Sequence, residues 1–298
     1  MRWRNSWRGD RVSAFRYGGE VVGFRLFKAQ PMSRSANEFV GDIPTWYDSQ
    51  LGPNIFADYA GDIAGRAAAL NPARTLELAA GTGIVSRRLR DAITGALSVT
   101  DLNAPMLEVA KQKVGANENV RFEVANAMAL PFEDGALDLV VCQFGVMFFP
   151  DKVASFREAL RVLRPGGRYL FNAWGTQAQN PFARIAHEAV MAFFPDDPPG
   201  FYLVPFSYAD RDIAIADLRG AGFCDATCET LALQKHVHDV GALAHGLVFG
   251  NPLIDEVRQR GGDPETLVSA IEARFRREFG GERATMPLLA NVYSATRG

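Results

Sequence analysis

The chain has 298 residues, 48% of them hydrophobic and 22% charged, enough to bury a full core in one large α/β domain or in a domain with an appended cap. A net charge of −2 leaves no global basic footprint, which argues against DNA or RNA as a partner. The three cysteines, Cys142, Cys224 and Cys228, form neither a disulfide framework nor a metal-ligand pattern, and no run approaches the ~18 apolar residues of a membrane span, so the expectation is a reduced, cytoplasmic protein with no transmembrane segment and no bound metal.

In chain order, residues 1–31 are basic, with Arg2, Arg4, Arg8, Arg11, Arg16, Arg25 and Lys28 against Asp10 and Glu20, and they hold no apolar core for a secretory signal. They read as a disordered extension ahead of Met32, with an arm for an acidic partner or a membrane as the alternative. A domain is expected over 32–298. Leu51, Ile55, Phe56, Tyr59, Ile63 and Ala67 show a mostly helical spacing broken near Pro53, predicting one or two helices over 48–70. Thr75 to Ala79 reads as a first strand, followed by a turn at Gly81 and Gly83 and a helix from Ile84. Ala96 to Val99 reads as a second strand running out to Asp101, and Asn103 as the cap of a helix with Met106, Leu107, Ala110 and Val114 on its buried face. Val120 to Val124 and the apolar run Leu137 to Gln143 give two more strands. Val153, Phe156, Leu160 and Leu163 mark a helix ended by Arg164-Pro165-Gly166-Gly167, and Arg168 to Trp174 a fifth strand.

Beyond Trp174 the pattern changes. Phe182 to Phe194 and Asp210 to Arg219 look helical, Phe223 to Val237 and Pro287 to Ala295 look like strands, and helices are expected between Asp239 and Gly280. The segments at about 178–208 and 239–280 are read as cap insertions, and the Pro-rich aromatic loop Phe193 to Tyr202 either closes over a crevice or packs on its own helices. Seven strands alternating with helices predict a doubly wound, mostly parallel sheet with a ligand crevice at the strands' carboxyl ends.

The chemistry concentrates at that edge. A Gly-x-Gly strand-to-helix turn admits a ligand close to backbone, and Asp101 follows Gly83 by about 18 residues, near the ~20 at which a carboxylate accepts hydrogen bonds from ribose hydroxyls. The third glycine of the dinucleotide fingerprint is replaced by Ser86, which argues for a nucleoside without a pyrophosphate. LELAAGTG at 76–83, TDLNAPML at 100–107, ANAMALPF at 125–132, LDLVVCQF at 137–144 and RPGG at 164–167 together resemble the class I S-adenosylmethionine-dependent methyltransferases, in particular the small-molecule group of the ubiquinone/menaquinone C-methyltransferases. The likeness runs from about Tyr47 to Trp174. It implies a Rossmann-like methyltransferase fold with N-terminal helices, S-adenosyl-L-methionine as cofactor, and methyl transfer to a small-molecule acceptor. The residues it selects around the cofactor are Tyr47 at the methionine end; Glu77, Ala79, Gly81 and Gly83 at the first strand and turn; Asp101, Leu102 and Met106 at the ribose and adenine; Asn126 and Ala127 at the adenine edge; and Gln143 and Phe144 beside the sulfonium. Glu77 is expected to accept from the glycine-turn N–H groups or to place the methionine ammonium. Asn126 departs from the acidic residue of relatives, although its amide oxygen still accepts from the adenine amino group.

Gln143-Phe144-Gly145 stands where enzymes that methylate nucleic-acid amines carry an Asp or Asn, two prolines and an aromatic residue, which removes support for that chemistry. The aromatic loop points to an apolar or aromatic acceptor. His187, His236, His238 and His245 are the four histidines, and none is singled out as a catalytic base. Two other readings stay open: an NAD-dependent oxidoreductase, and a non-catalytic S-adenosylmethionine-binding protein.

Overall fold

The computed structural model describes residues 38–281 and 284–298, so the basic segment 1–31 lies outside the described residues. Seven strands form one sheet: β1 (Arg74–Glu77), β2 (Ala96–Asp101), β3 (Val120–Val124), β4 (Leu137–Gln143), β5 (Leu163–Trp174), β6 (Phe223–Val237) and β7 (Ala284–Arg297). Their order is β3-β2-β1-β4-β5-β7-β6, with β1 to β5 mutually parallel and β7 antiparallel to both of its neighbours. This is the mostly parallel, doubly wound sheet that the alternation of strands and helices predicts.

Alternation along β4 shows why both faces are covered. Leu139 and Val141 pack with Ile63, Val85, Leu89 and Leu107 on one side, while Val140 and Cys142 pack with Phe156, Phe171 and Tyr293 on the other. Burial on both faces turns the strand into a near-continuous apolar run. The first face is covered by α2 (Ala57–Ala69), α3 (Ile84–Ala92) and α4 (Ala104–Val114). The second is covered by α5 (Lys152–Val162) and α7 (Arg211–Ala221).

The N-terminal helices depart from expectation. After the short α1 (Ile43–Trp46), Tyr47–Phe56 forms a wide helical stretch that carries Pro53 inside it and runs directly into α2. Pro53 has no N–H to give to a regular ladder, and the chain widens its turns instead of breaking. Asn54 Nδ2 donates to the Gln50 carbonyl at 2.7 Å, taking up one acceptor there.

Other boundaries move for local reasons. β1 ends at Glu77 rather than Ala79, because Ala79 has φ +49 and the chain has already turned. Leu163 begins β5 instead of closing α5, with extended dihedrals and Leu137 as its register partner. Asn103 occupies the N-cap position of α4, but its side chain does not cap; Oδ1 accepts from the Phe39 N–H at 3.4 Å and Nδ2 donates to Asp101 at 3.3 Å. The last strand is longer than Pro287 to Ala295. Pro287 is tolerated because pairing with β5 starts only at Ala290, so β7 has a single neighbour at the proline.

The segments read as cap insertions contain α6 (Pro181–Phe193) and α8 (Val240–Phe249), α9 (Leu253–Gln259) and α10 (Pro264–Phe279). Among the described residues, no helix is long and apolar enough to cross a membrane.

Candidate functional site

One cavity opens at the carboxyl ends of β1, β2 and β4, where a doubly wound sheet binds its ligand. Of the residues picked from sequence, Tyr47, Ala79, Gly81, Asp101, Leu102, Met106, Asn126, Ala127, Gln143 and Phe144 border it, and Glu77 and Gly83 do not.

Asp101 is 7% exposed at the end of β2. Its Oδ2 accepts from the Gly81 N–H at 2.8 Å, and its Oδ1 accepts from the Asn103 N–H at 2.8 Å. The carboxylate thus ties the glycine turn to the start of α4. Burial pushes its pKa up, and the N–H donors of Asn103 and Gly81 oppose that shift. A carboxylate offers about four lone-pair directions, so accepting capacity remains for a ligand. Gly81 has φ +57, and a Cβ there would meet only Met106 at 3.7 Å and the Tyr47 ring at 3.9 Å, so the turn is open toward the cavity.

Glu77 needs a correction. The glycine-turn N–H that it was expected to bind goes to Asp101. Glu77 is 1% exposed, and its Oε2 has no hydrogen-bond partner. Burial drives its pKa up to about 8; the nearby Ser86 hydroxyl and N–H pull it down, and Asp101 adds to the rise. Gly83 is a packing position. With φ +76, its Cβ would lie 2.9 Å from both Cα and Cβ of Ala110, so the glycine lets α3 and α4 approach.

The other expected contacts are partly spent within the protein. Asn126 Oδ1 accepts from the Met128 N–H at 3.0 Å, which leaves one lone pair for a ligand. Tyr47 stacks on Phe56 with ring centroids 4.9 Å apart, and burial with the nearby Asp101 charge holds its hydroxyl protonated. Asp48, its neighbour, accepts from the Thr82 hydroxyl at 2.7 Å and pairs with Lys113, which ties the wide helix to the glycine turn and to α4.

Farther along, the cavity becomes aromatic. Phe144 stacks on Trp174 at 3.8 Å with 10° between the ring planes, and Phe182 and Phe206 surround the pair. Phe201 and Tyr202 of the aromatic loop also border the cavity, whereas Phe193 and Phe194 pack on each other at 5.0 Å. Leu247 and Asn251, from the α8 to α9 region, close this end. Tyr202 Oη donates to the Leu247 carbonyl at 2.7 Å. Sequence reasoning missed Trp174, Phe206, Leu247 and Asn251 as wall residues because they come from separate segments with no shared motif.

None of the four histidines borders the cavity. His245 Nδ1 lies 2.8 Å from Gln50 Oε1, and its ring stacks on Phe249. His236 and His238 meet edge to face with ring centroids 4.6 Å apart, and burial lowers the pKa of His187. Among the described residues there is no cluster of three or more His, Cys, Asp or Glu that could hold a metal ion.

Comparison with known proteins places this architecture. The model of the ubiE/COQ5 methyltransferase family matches residues 55–195. The demethylmenaquinone methyltransferase of Deinococcus radiodurans is 36% identical over 161 residues, covering 52% of this chain and 67% of that protein. That of Thermus thermophilus is 40% identical over 127 residues, 41% of this chain and 58% of the relative. The ubiquinone/menaquinone biosynthesis C-methyltransferase UbiE of Hahella chejuensis is 36% identical over 121 residues, 39% and 48%. The chain therefore spans about half the length of the latter two relatives. Among solved structures, Haemonchus contortus phosphoethanolamine N-methyltransferase 2 in complex with S-adenosyl-L-methionine superposes with a TM-score of 0.57 at 17% identity, covering 89% of this chain and 60% of that one. The YcgJ protein from Bacillus subtilis superposes with a TM-score of 0.53 at 19% identity, covering 81% and 99%. Both share the fold, and the sequence relatives carry the kinship: the chain belongs to the ubiE/COQ5 methyltransferase family.

Proposed function

We propose that this protein is an S-adenosyl-L-methionine-dependent methyltransferase acting on a small apolar or aromatic acceptor. The observation that carries the reading is one continuous cavity, with an open glycine turn and Asp101 at one end and an aromatic chamber at the other. The first end fits a nucleoside. Asp101 retains accepting capacity for ribose hydroxyls, Met106 and Leu102 flank the base, Asn126 and Ala127 meet its edge, and Tyr47 covers the amino-acid end. The second end fits a planar acceptor. The relatives named for demethylmenaquinone make a reduced naphthoquinone ring the first acceptor to try.

The donor, once bound, supplies a methyl group already activated by a sulfonium. Tyr47, Asp101, Asn126 and Gln143 would hold that donor, and its methyl would pass to an electron pair on an oxygen, a nitrogen or a ring carbon of the acceptor, with the carbon–sulfur pair returning to sulfur. The protein's part is alignment and exclusion of water, and such positioning is worth roughly 7 to 11 kcal/mol. The titratable side chains on the cavity wall are Tyr47, Asp101 and Tyr202. Burial raises the pKa of both tyrosines, which removes them as bases near neutral pH. Asp101 is engaged by the Gly81 and Asn103 N–H groups and, on this reading, by the ribose, so the acceptor's proton is assigned to water and no side chain is assigned as a base. Residues 32–298 act as one domain, with 178–208 and 239–280 forming the acceptor side, and a cytoplasmic location is supported by three free cysteines.

Calorimetry with S-adenosylhomocysteine and with NAD tests the cofactor, and transfer from a labelled methyl donor to 1,4-dihydroxynaphthalene tests the acceptor class. Binding of S-adenosylhomocysteine without NAD is expected. Binding of NAD alone overturns the proposal in favour of a dehydrogenase.

A further inference from the structure

Asn172 is an amide in the middle of an apolar strand, flanked by Phe171 and Ala173, and it is fully buried. It does not border the cavity, yet its register partner on β4 is Gln143, which does. The Phe144 N–H donates to Asn172 Oδ1 at 2.9 Å and to the Asn172 carbonyl at 3.2 Å. With its oxygen committed there, Asn172 donates from Nδ2 to Gln143 Oε1 at 3.4 Å, and Gln143 Nε2 donates in turn to the Phe56 carbonyl at 3.4 Å. A backbone N–H at one end and a backbone carbonyl at the other define the direction of the whole relay. Turning either amide over sets donor against donor or acceptor against acceptor.

The same bond secures Phe144. That residue has φ +49, a left-handed conformation disfavoured for any side chain with a Cβ, and from it the ring reaches its stack on Trp174. Phe56, Gln143 and Phe144 all lie on the cavity wall, where its polar end gives way to its aromatic end.

Resting on the reading of this cavity as a methyl-donor site, we infer that Asn172 is a positioning residue that orients Gln143, so that the unused lone pair of Gln143 Oε1 faces the sulfonium. A sulfonium is cationic and the thioether left after transfer is neutral. A fixed carbonyl dipole beside the sulfur therefore favours the donor over the spent product and eases release of the latter.

The test compares S-adenosylmethionine and S-adenosylhomocysteine by calorimetry in wild type, Gln143→Met, Asn172→Leu and the double variant. Asn172→Leu leaves the Phe144 N–H its second acceptor, the main-chain carbonyl of the same residue, and has nothing to donate to Gln143 at any pH. Each single change is expected to lower the preference for the charged donor by about 5- to 10-fold, as for a hydrogen bond of ordinary strength. The double variant should lose no more than either single one. Equal weakening of both ligands in Asn172→Leu, or additive losses, overturns the inference. A second arm follows the side-chain amide NMR signal of Gln143 in the ligand-free protein, assigned by its disappearance in Gln143→Met. It should shift in Asn172→Leu, and an unmoved signal overturns the relay. If wild type binds neither ligand, the methyl-donor reading fails together with its sulfonium role, and the NMR arm shows whether the relay itself exists.

Discussion

Two carboxylates lie at the ends of neighbouring strands, and burial treats them differently. Asp101 has backbone N–H partners, while Glu77 has an orphaned oxygen and a pKa of about 8 against an ordinary 4.5. Between those two values the folded protein holds a proton on Glu77 that the unfolded chain has lost. The resulting stabilisation is complete below about pH 4.5 and drains away as the pH rises to about 8. Glu77→Gln keeps the neutral form at every pH. Its unfolding free energy should overtake that of wild type as pH is raised from 5 to 9, with a swing of up to roughly 4 kcal/mol in urea titrations. Asp101→Ala should weaken S-adenosylhomocysteine binding about 10- to 100-fold, since it removes both a charged acceptor and the strut under the turn; unchanged affinity in calorimetry speaks against the ribose role. Gly83→Ala should cost about 2 to 4 kcal/mol of stability through Ala110 and the left-handed φ, read as a fall in urea midpoint. At this scale the position of Asp101 on the cavity wall was legible, because a carboxylate that closes the second strand of a doubly wound sheet stands at its ligand edge. Its bond to Gly81 was not legible. Neither was the packing role of Gly83, since both depend on how α3 and α4 meet.

Elements were legible where a pattern repeats. Phe223 to Val237 alternates exposed and half-buried positions from Thr230 to Lys235 and runs over the bounds that its sequence predicts. The helix across Pro53 was not legible as continuous, because the widened turns depend on the contacts around it, including the tie of Asp48 to Thr82 and Lys113. β7 was read too short because Pro287 signals a strand end unless one side of the strand is free. Its far end does specific work. Arg297 Nη1 donates to the carbonyls of Leu160 at 3.0 Å and Arg161 at 2.8 Å, and also to that of Leu163, which closes the C-terminal end of α5 with a cation. Arg297→Met should lower stability by about 1 to 3 kcal/mol in urea titrations while leaving nucleoside affinity unchanged, because α5 is remote from the glycine turn.

At the scale of the molecule, the cavity joins a part written in motifs to a part that is not. The end proposed for the nucleoside comes from β1, β2 and the segment after β3, and its residues stand close together in sequence. The aromatic end gathers Phe144, Trp174, Phe206 and Leu247 across more than a hundred residues, and only the fold brings them into one chamber. The two ends should therefore be separable. Leu247→Trp is expected to keep S-adenosylhomocysteine affinity within about twofold and to abolish binding of an apolar fluorophore such as N-phenyl-1-naphthylamine, with competition by 1,4-dihydroxynaphthalene in wild type as the control. Loss of both ligands together sinks the two-part description. The strand order carries one more consequence. β6 pairs only with β7 among the described residues, and β7 also fills the gap beside β5. During synthesis β6 leaves the ribosome before its one partner exists, and a message cut short ahead of Ala284 would newly bare one edge of β5 and leave β6 with no partner at all, a natural substrate for chaperones and proteases.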